Sequence, residues 1–225
     1  TTAHWLERLE AAGVPCAPVL TRSEMIRHPQ VRENAIVVEN DHPGIYYQLN
    51  NALSAVQGDW FTYAAGDDVA LESKLIDEVR ACVDSGRDVC YSSFHVVDRR
   101  LKIKKTHRFP DFDLGLLLER NYVSDCALVS CRVLDDYGPF DMEMGNHAFW
   151  DLWLRIGTDR PSAFVYNDRP EWLYRQHSGA QHIRRAWSRR KKRVNRDLKM
   201  ALLRKHAGLL SRLGKSHLLE PNPDR

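Results

Sequence analysis

No stretch of this 225-residue chain approaches the ~20 consecutive apolar residues that a membrane-spanning helix needs. A bilayer-crossing helix within it is therefore excluded. No secretory signal pattern opens the sequence, and it starts at Thr1 rather than Met, so we expect the native N-terminus to lie upstream. Cysteine is scarce and odd in number: Cys16, Cys82, Cys90, Cys126 and Cys131, with no CxxC pair. That pattern argues against a disulfide framework or a zinc site and for reduced thiols in a cytosolic setting. No internal repeat is present, which removes solenoid and propeller architectures. What remains is ordinary globular composition, 43% apolar and 28% charged, enough for one sizeable core or for a domain and part of a second.

The most informative stretch is Gly58-Asp59-Trp60-Phe61-Thr62-Tyr63-Ala64-Ala65-Gly66-Asp67-Asp68. Its aromatic run suits a half-buried strand. The strand ends on two adjacent carboxylates, which repel each other unless solvated or bridged by a cation. Mg²⁺ and Mn²⁺ favour such oxygen ligands and keep positions open for phosphate. Gly-Asp-Asp is also good turn chemistry, so the pair alone leaves a plain turn open.

The net charge of +3 is unevenly spread. From Arg184 to Lys205 there are eleven Lys or Arg and one acid, Asp197. Trp187, Val194, Leu198, Ala201 and Leu202 recur there at roughly helical spacing, which predicts a basic amphipathic helix. Such a helix packs its stripe on its own domain or lies on an anionic membrane surface. Nucleic acid is disfavoured, because no aromatic platform accompanies the charge.

Helices and strands alternate along the chain. Helices are expected at 3–12, 45–56, 71–85 (apolar at Leu75, Ile76, Val79 and Val83, closed by Gly86), from 114 to 120, and at 149–157. Strands are expected at 15–20, 35–39, 59–64, 88–97, 126–130 and 163–166, with a polar, unpatterned stretch at 98–113. Alternation of this kind argues for an α/β fold with a mostly parallel sheet flanked by helices. Ligands then sit at the carboxyl ends of strands, where Asp67 and Asp68 fall.

Several blocks, in order, resemble the family 2 glycosyltransferases over about residues 44–183. They are Asn50 to Trp60, Ala65-Gly66-Asp67-Asp68, Asp88-Val89-Cys90-Tyr91-Ser92 with Val97-Asp98, Asn121-Tyr122-Val123 through Gly138-Pro139-Phe140-Asp141, Trp150 to Arg155, and Tyr174-Arg175-Gln176-His177. The resemblance implies a partial GT-A-like, Rossmann-like domain over 45–183 followed by a basic C-terminal helix and tail over 184–225. It implies transfer of a sugar from a nucleotide-sugar donor to the hydroxyl of a glycan or lipid-linked acceptor. Mn²⁺ or Mg²⁺ would rest on Asp67 and Asp68, with His177 as a further ligand or phosphate contact. The setting would be cytoplasmic, with peripheral contact at the inner face of the membrane through the basic helix.

This chain departs from the family pattern at several points. Ala65 stands where a first metal-motif Asp is usual, and Ala148 and Phe149 stand where the family has its acidic pair. Asp151 lies two residues past Phe149 and so points about 200° away on a helix. Asp151, Glu143 and His147 are accordingly the substitute candidates for catalysis. The first part of the GT-A fold, which supplies most nucleotide contacts, has no clear counterpart.

Residues 1–44 resemble something else. Trp5 through Val19, Glu24, His28-Pro29-Gln30-Val31-Arg32 and Val37-Val38-Glu39 through His42-Pro43-Gly44 are similar to a C-terminal segment of class III CoA-transferases. That family's catalytic aspartate lies upstream of this segment, so no residue here inherits its chemistry. A strand-helix-strand unit is expected, its second strand joining the following sheet. Three functions therefore compete: a truncated or inactive glycosyltransferase, a CoA-transferase fragment, and a degenerate non-catalytic sugar-binding module.

Overall fold

The structure, a computed structural model, describes residues 44–176 and 189–220, together with His4, Arg8 and Ala11. Contacts divide the chain into Thr1–Pro43 and Gly44–Arg225. In the first unit His4, Arg8 and Ala11 are helical, within the 3–12 segment expected as a helix. The strands expected at 15–20 and 35–39 lie outside the described residues, as does His177.

The second unit opens with α1 (Ile45–Ser54) and the aromatic strand β1 (Trp60–Thr62). A two-residue β2 (Val69–Ala70), α2 (Lys74–Ser85) and the long β3 (Val89–Val97) follow. α2 stops at Gly86, whose φ of 65° lets Arg87 N–H close back on Cys82 O at 2.8 Å. The stretch expected to be unpatterned contains β4 (Ile103–His107), then α3 (Leu114–Glu119) begins where Asp113 caps the Leu116 N–H. β5 (Leu128–Ser130) runs directly into α4 (Cys131–Tyr137), because Ser130 both ends the strand and caps the helix. α5 (Ala148–Asp159), β6 (Phe164–Arg175), α6 (Arg189–Lys205) and α7 (Ala207–Arg212) complete the described elements.

Six described strands form one sheet in the order β1-β5-β3-β6-β2, with β4 also on β3. The α/β class stands, but the sheet is mixed. β3 and β6 pair in parallel, whereas β1–β5, β5–β3, β3–β4 and β6–β2 are antiparallel. The reversal occurs at the hairpin: β4 doubles back on β3, and β5, reached through α3, keeps the direction of β4 and so lies antiparallel between β1 and β3. β1, β3 and β6 still run the same way, so their carboxyl ends share one edge of the sheet.

α5 is apolar almost all round and is buried all round, as such helices are. Phe149, Trp150, Leu152, Trp153, Leu154 and Ile156 are all core residues. Trp150 Nε1 donates to Leu117 O of α3 at 2.7 Å. Gly157 is required by close approach: a Cβ there would lie 2.7 Å from Phe112 Cζ. That ring cannot retreat, because it stacks on Phe164 with centroids 3.9 Å apart and planes 6° apart. Gly157→Ala should therefore cost about 1–3 kcal/mol through overpacking, read as a lower urea midpoint at unchanged slope.

α2 is a helix as expected, but its polarity is inverted. Leu75, Ile76 and Val83 are 55%, 52% and 64% exposed, while Lys74 and Glu78 are 3% and 1%. The buried side is satisfied internally. Lys74 Nζ binds the Glu78 carboxylate and Cys126 O, and Ser92 Oγ donates to Glu78 at 2.7 Å. Spacing predicted a face; these partners decide which way it points.

Candidate functional site

β1 delivers its chain to the carboxyl edge of the sheet, where Ala65–Asp68 turns back through an Asp68 N–H to Ala65 O bond of 3.1 Å. Asp67 and Asp68 are both half-buried. Asp68 Oδ1 accepts the Arg175 N–H at 2.9 Å, so the last residue of β6 orients that carboxylate. Arg175 Nε is buried and has no acceptor among the described residues. The fold thus ties Asp68 to the backbone of Arg175, the residue whose buried Nε lacks an acceptor among the described residues.

A third acid, missed in the sequence, joins them. Asp125 precedes β5, and its charge, with those of Asp67 and Asp68, acts on Tyr63 and Tyr174. Burial first, then Asp68, Asp67 and Asp125, push the Tyr174 phenol up to about 12. Burial likewise raises Tyr63, with Cys126 and these acids adding to it. Asp125 keeps a water-facing surface, and desolvation by the protein around it pushes its carboxyl upward. Nothing in Val123-Ser124-Asp125-Cys126 announces this; only the fold brings it to the turn.

The resemblance implies Mn²⁺ or Mg²⁺. Among the described residues no group of three His, Cys, Asp or Glu could hold an ion unaided. Two hard carboxylates nevertheless suit a cation that draws its remaining ligands from water and phosphate oxygens. The donor set fits such an ion shared with a ligand.

The other candidates form a separate constellation around α5 and α6. Asp151 has no exposed side-chain surface. Its carboxylate is held by Arg155 Nε at 2.8 Å, Lys205 Nζ at 2.9 Å and His206 Nε2 at 2.9 Å. Burial raises its pKa, but hydrogen bonds from His206 and Lys205 and the charge of Arg155 outweigh that and hold it at about 2. Lys205 also pairs with Asp141 at 2.7 Å. His147 precedes α5 at the N-cap position without a side-chain capping bond, lies half-buried against the Trp150 ring and has Nε2 3.3 Å from Asn195 O. Burial lowers its pKa, so it is neutral at pH 7. Glu143 is exposed on the 3-10 turn Met142–His147, its N–H bonded to Asp141 Oδ1 at 2.9 Å.

Where the family pattern has acids, Ala148 and Phe149 are buried. Phe149 packs 5.7 Å from Tyr63 and 4.6 Å from Phe140, so an apolar ring adjoins the acidic turn. A depression of about 470 Å³ lined by Asp77, Asp111, Tyr166 and Arg169, among others, shares no residue with that turn. No helix among the described residues is long and apolar enough to cross a membrane.

The family model described as CoA-transferase family III matches residues 1–63, passing residue 44 to take in α1 and β1. No curated protein matches. Among solved structures the chain is similar to S. aureus TarS 1-349, at 12% identity and a TM-score of 0.50. That alignment covers 84% of this chain and 60% of TarS, so the chain spans about 60% of its neighbour's length. A Bacillus anthracis protein assigned as a glucose-1-phosphate thymidylyltransferase, in complex with a sucrose, aligns over 87% of this chain and 82% of its own. There the identity is 13% and the TM-score 0.38. At 12% identity it is the fold that is shared with TarS: the chain carries an α/β fold with a mixed sheet flanked by helices, and its first 63 residues resemble CoA-transferase family III.

Proposed function

We propose that the second unit is a nucleotide-sugar-dependent glycosyltransferase domain, acting on the hydroxyl of a glycan or lipid-linked acceptor. The observation that carries this reading is the Asp67–Asp68 pair at the carboxyl edge, anchored through Asp68 to the N–H of Arg175, whose buried Nε lacks an acceptor among the described residues. Asp67 and Asp68 would hold Mn²⁺ or Mg²⁺, which when bound supplies Lewis-acid neutralisation of the leaving diphosphate. Arg175 Nε donates to a phosphate oxygen. Phe149 and Tyr63 form a dry wall beside the turn, strengthening the electrostatics there. His177, outside the described residues, would serve as a further ligand or a phosphate contact.

Of the three substitute acids and bases, Glu143 is the carboxylate open to solvent, but it belongs to the α5–α6 constellation and not to the acidic turn, so the base for the acceptor proton is left unassigned. Asp151 is a positioning residue that fixes α6 against α5, and His147 is a neutral imidazole oriented by Asn195. Lys192, Arg193 and Arg196 of α6 are exposed beside Val194, which supports peripheral contact with an anionic inner membrane face in a cytoplasmic setting. A second reading, a CoA-transferase fragment, is favoured by the family match over residues 1–63.

A thermal-shift panel of UDP, UDP-sugars and CoA, each with and without Mn²⁺, separates these readings. A UDP-sugar at about 100 times its Kd should add about 2.7 kcal/mol of stability, and only with Mn²⁺ present. A shift with CoA and none with any nucleotide would overturn the proposal. Nucleotide binding with no sugar transfer to any acceptor would leave a non-catalytic sugar-binding module.

A further inference from the structure

Between β3 and β4 the chain turns in a tight, self-bonded tip. Asp98 Oδ1 accepts the N–H groups of Arg100 and Lys102 at 2.9 and 3.1 Å, and Lys104 Nζ pairs with its other oxygen at 2.9 Å. Leu101 N–H bonds Asp98 O at 3.0 Å, which holds Leu101 at a φ of 62°. That region ordinarily belongs to Gly or Asn. Leu101 is 42% exposed, and Ile103 on β4 is 52% exposed. Around them stand six cations, Arg99, Arg100, Lys102, Lys104, Lys105 and Arg108, all exposed. Lys104 pairs with Asp98 and Arg108 lies 3.9 Å from Asp168.

Lysines on an edge strand have a simple use: they discourage pairing with another strand. That use explains neither a leucine held in a strained conformation at the tip nor an isoleucine turned to water. A soluble polyanion would match the cations and leave both aliphatic side chains wet. An anionic lipid surface matches both features, with cations at the headgroups and aliphatic side chains at the acyl boundary.

We infer that the β3–β4 hairpin is a docking element for an anionic lipid surface, with Leu101 and Ile103 as its apolar contacts and Arg100, Lys102 and Lys105 as its headgroup contacts. Position adds to the case. Val97, the last residue of β3, pairs with Arg175, whose N–H bonds Asp68, so the hairpin leaves the sheet on the same edge as the acidic turn. Docking there would face that edge toward the lipid. The inference does not depend on the nucleotide-sugar reading, since it concerns the surface alone.

Co-sedimentation of the full chain with phosphatidylcholine vesicles, with and without phosphatidylserine, tests it. Binding should require phosphatidylserine and weaken with added salt. Each cation near such a surface is worth roughly fivefold in partition, so Arg100→Gln/Lys102→Gln/Lys105→Gln should lower it on the order of 100-fold. Leu101→Asn suits the positive φ, so it should keep or raise the melting temperature while lowering partition about tenfold. Lys192→Gln/Arg193→Gln/Arg196→Gln on α6 should retain the Leu101→Asn-sensitive component. Unchanged partition in the hairpin triple variant, or in a folded Leu101→Asn, overturns the inference. So does equal binding to phosphatidylcholine alone, or binding to heparin with none to vesicles.

Discussion

Asp151→Asn should lower unfolding free energy by about 3 kcal/mol, the low end of what breaking a buried ion pair costs. The carboxylate takes bonds from Arg155, Lys205 and His206 with no exposed surface of its own. Asparagine keeps the shape but leaves these donors facing a neutral amide that has its own N–H groups to place. Lys205 retains Asp141 and Arg155 retains Pro139 O, which is why the loss should stay near that low end. In a body of this size about 3 kcal/mol corresponds to a fall of about 10 °C in melting temperature, at roughly 2–4 °C per kcal/mol. Limited proteolysis should then cut within or before α6 first, because Lys205 and His206 tie that helix to α5.

The same residue sets an acid limb. Its folded pKa of about 2 lies below the usual unfolded value of about 3.9. A depressed acid contributes stability that is complete above about pH 5 and is lost as pH falls through 2, a contribution of about 2.6 kcal/mol for a shift of this size. Urea unfolding at several pH values should show wild type converging on Asp151→Asn across that window. If the variant is as stable as wild type at pH 7, the cage is not what secures α6.

The second large effect concerns the acidic turn. Asp67→Ala, Asp68→Ala and Asp68→Asn should each abolish the Mn²⁺-dependent nucleotide response. Removing a ligand outright should weaken ion affinity by more than the 10–100-fold typical of losing an outer partner. Stability divides the variants. Asp68→Ala orphans the Arg175 N–H and should cost about 1 kcal/mol, whereas Asp68→Asn can still accept that bond and should cost less. Titration calorimetry of Mn²⁺ with UDP present reads the affinity, and urea midpoints read the fold. An Asp68→Asn protein that binds Mn²⁺ as well as wild type would reduce the pair to turn chemistry.

The sequence made some elements legible because their burial is one-sided or complete. β1 shows in Trp60 to Tyr63, α5 in its dense apolar run, and the end of α2 in Gly86. β4 was hidden, since four of its five residues face water and no alternation survives. β2 is two residues long and exists through its pairing with Leu173 and Trp172. Strand direction departs at β4 and β5, where alternating elements suggest a parallel sheet but the chain doubles back at the β3–β4 hairpin and β5 keeps that reversed direction. At the candidate site, neighbouring acids at a strand end were readable. Asp125 was not, because its approach depends on how β5 lies beside β1, and the enclosure of Asp151 depends on a helix more than fifty positions later.

Lys74 and Glu78, which any residue-type tally would count as surface charges, are interior fittings. Exchanging one alone should be as disruptive as hollowing an apolar core, while a well-packed apolar pair could replace both. Leu75, Ile76 and Val83, which the same tally would treat as core, face water and can drift freely. At these five positions, tolerance to substitution should run opposite to hydropathy.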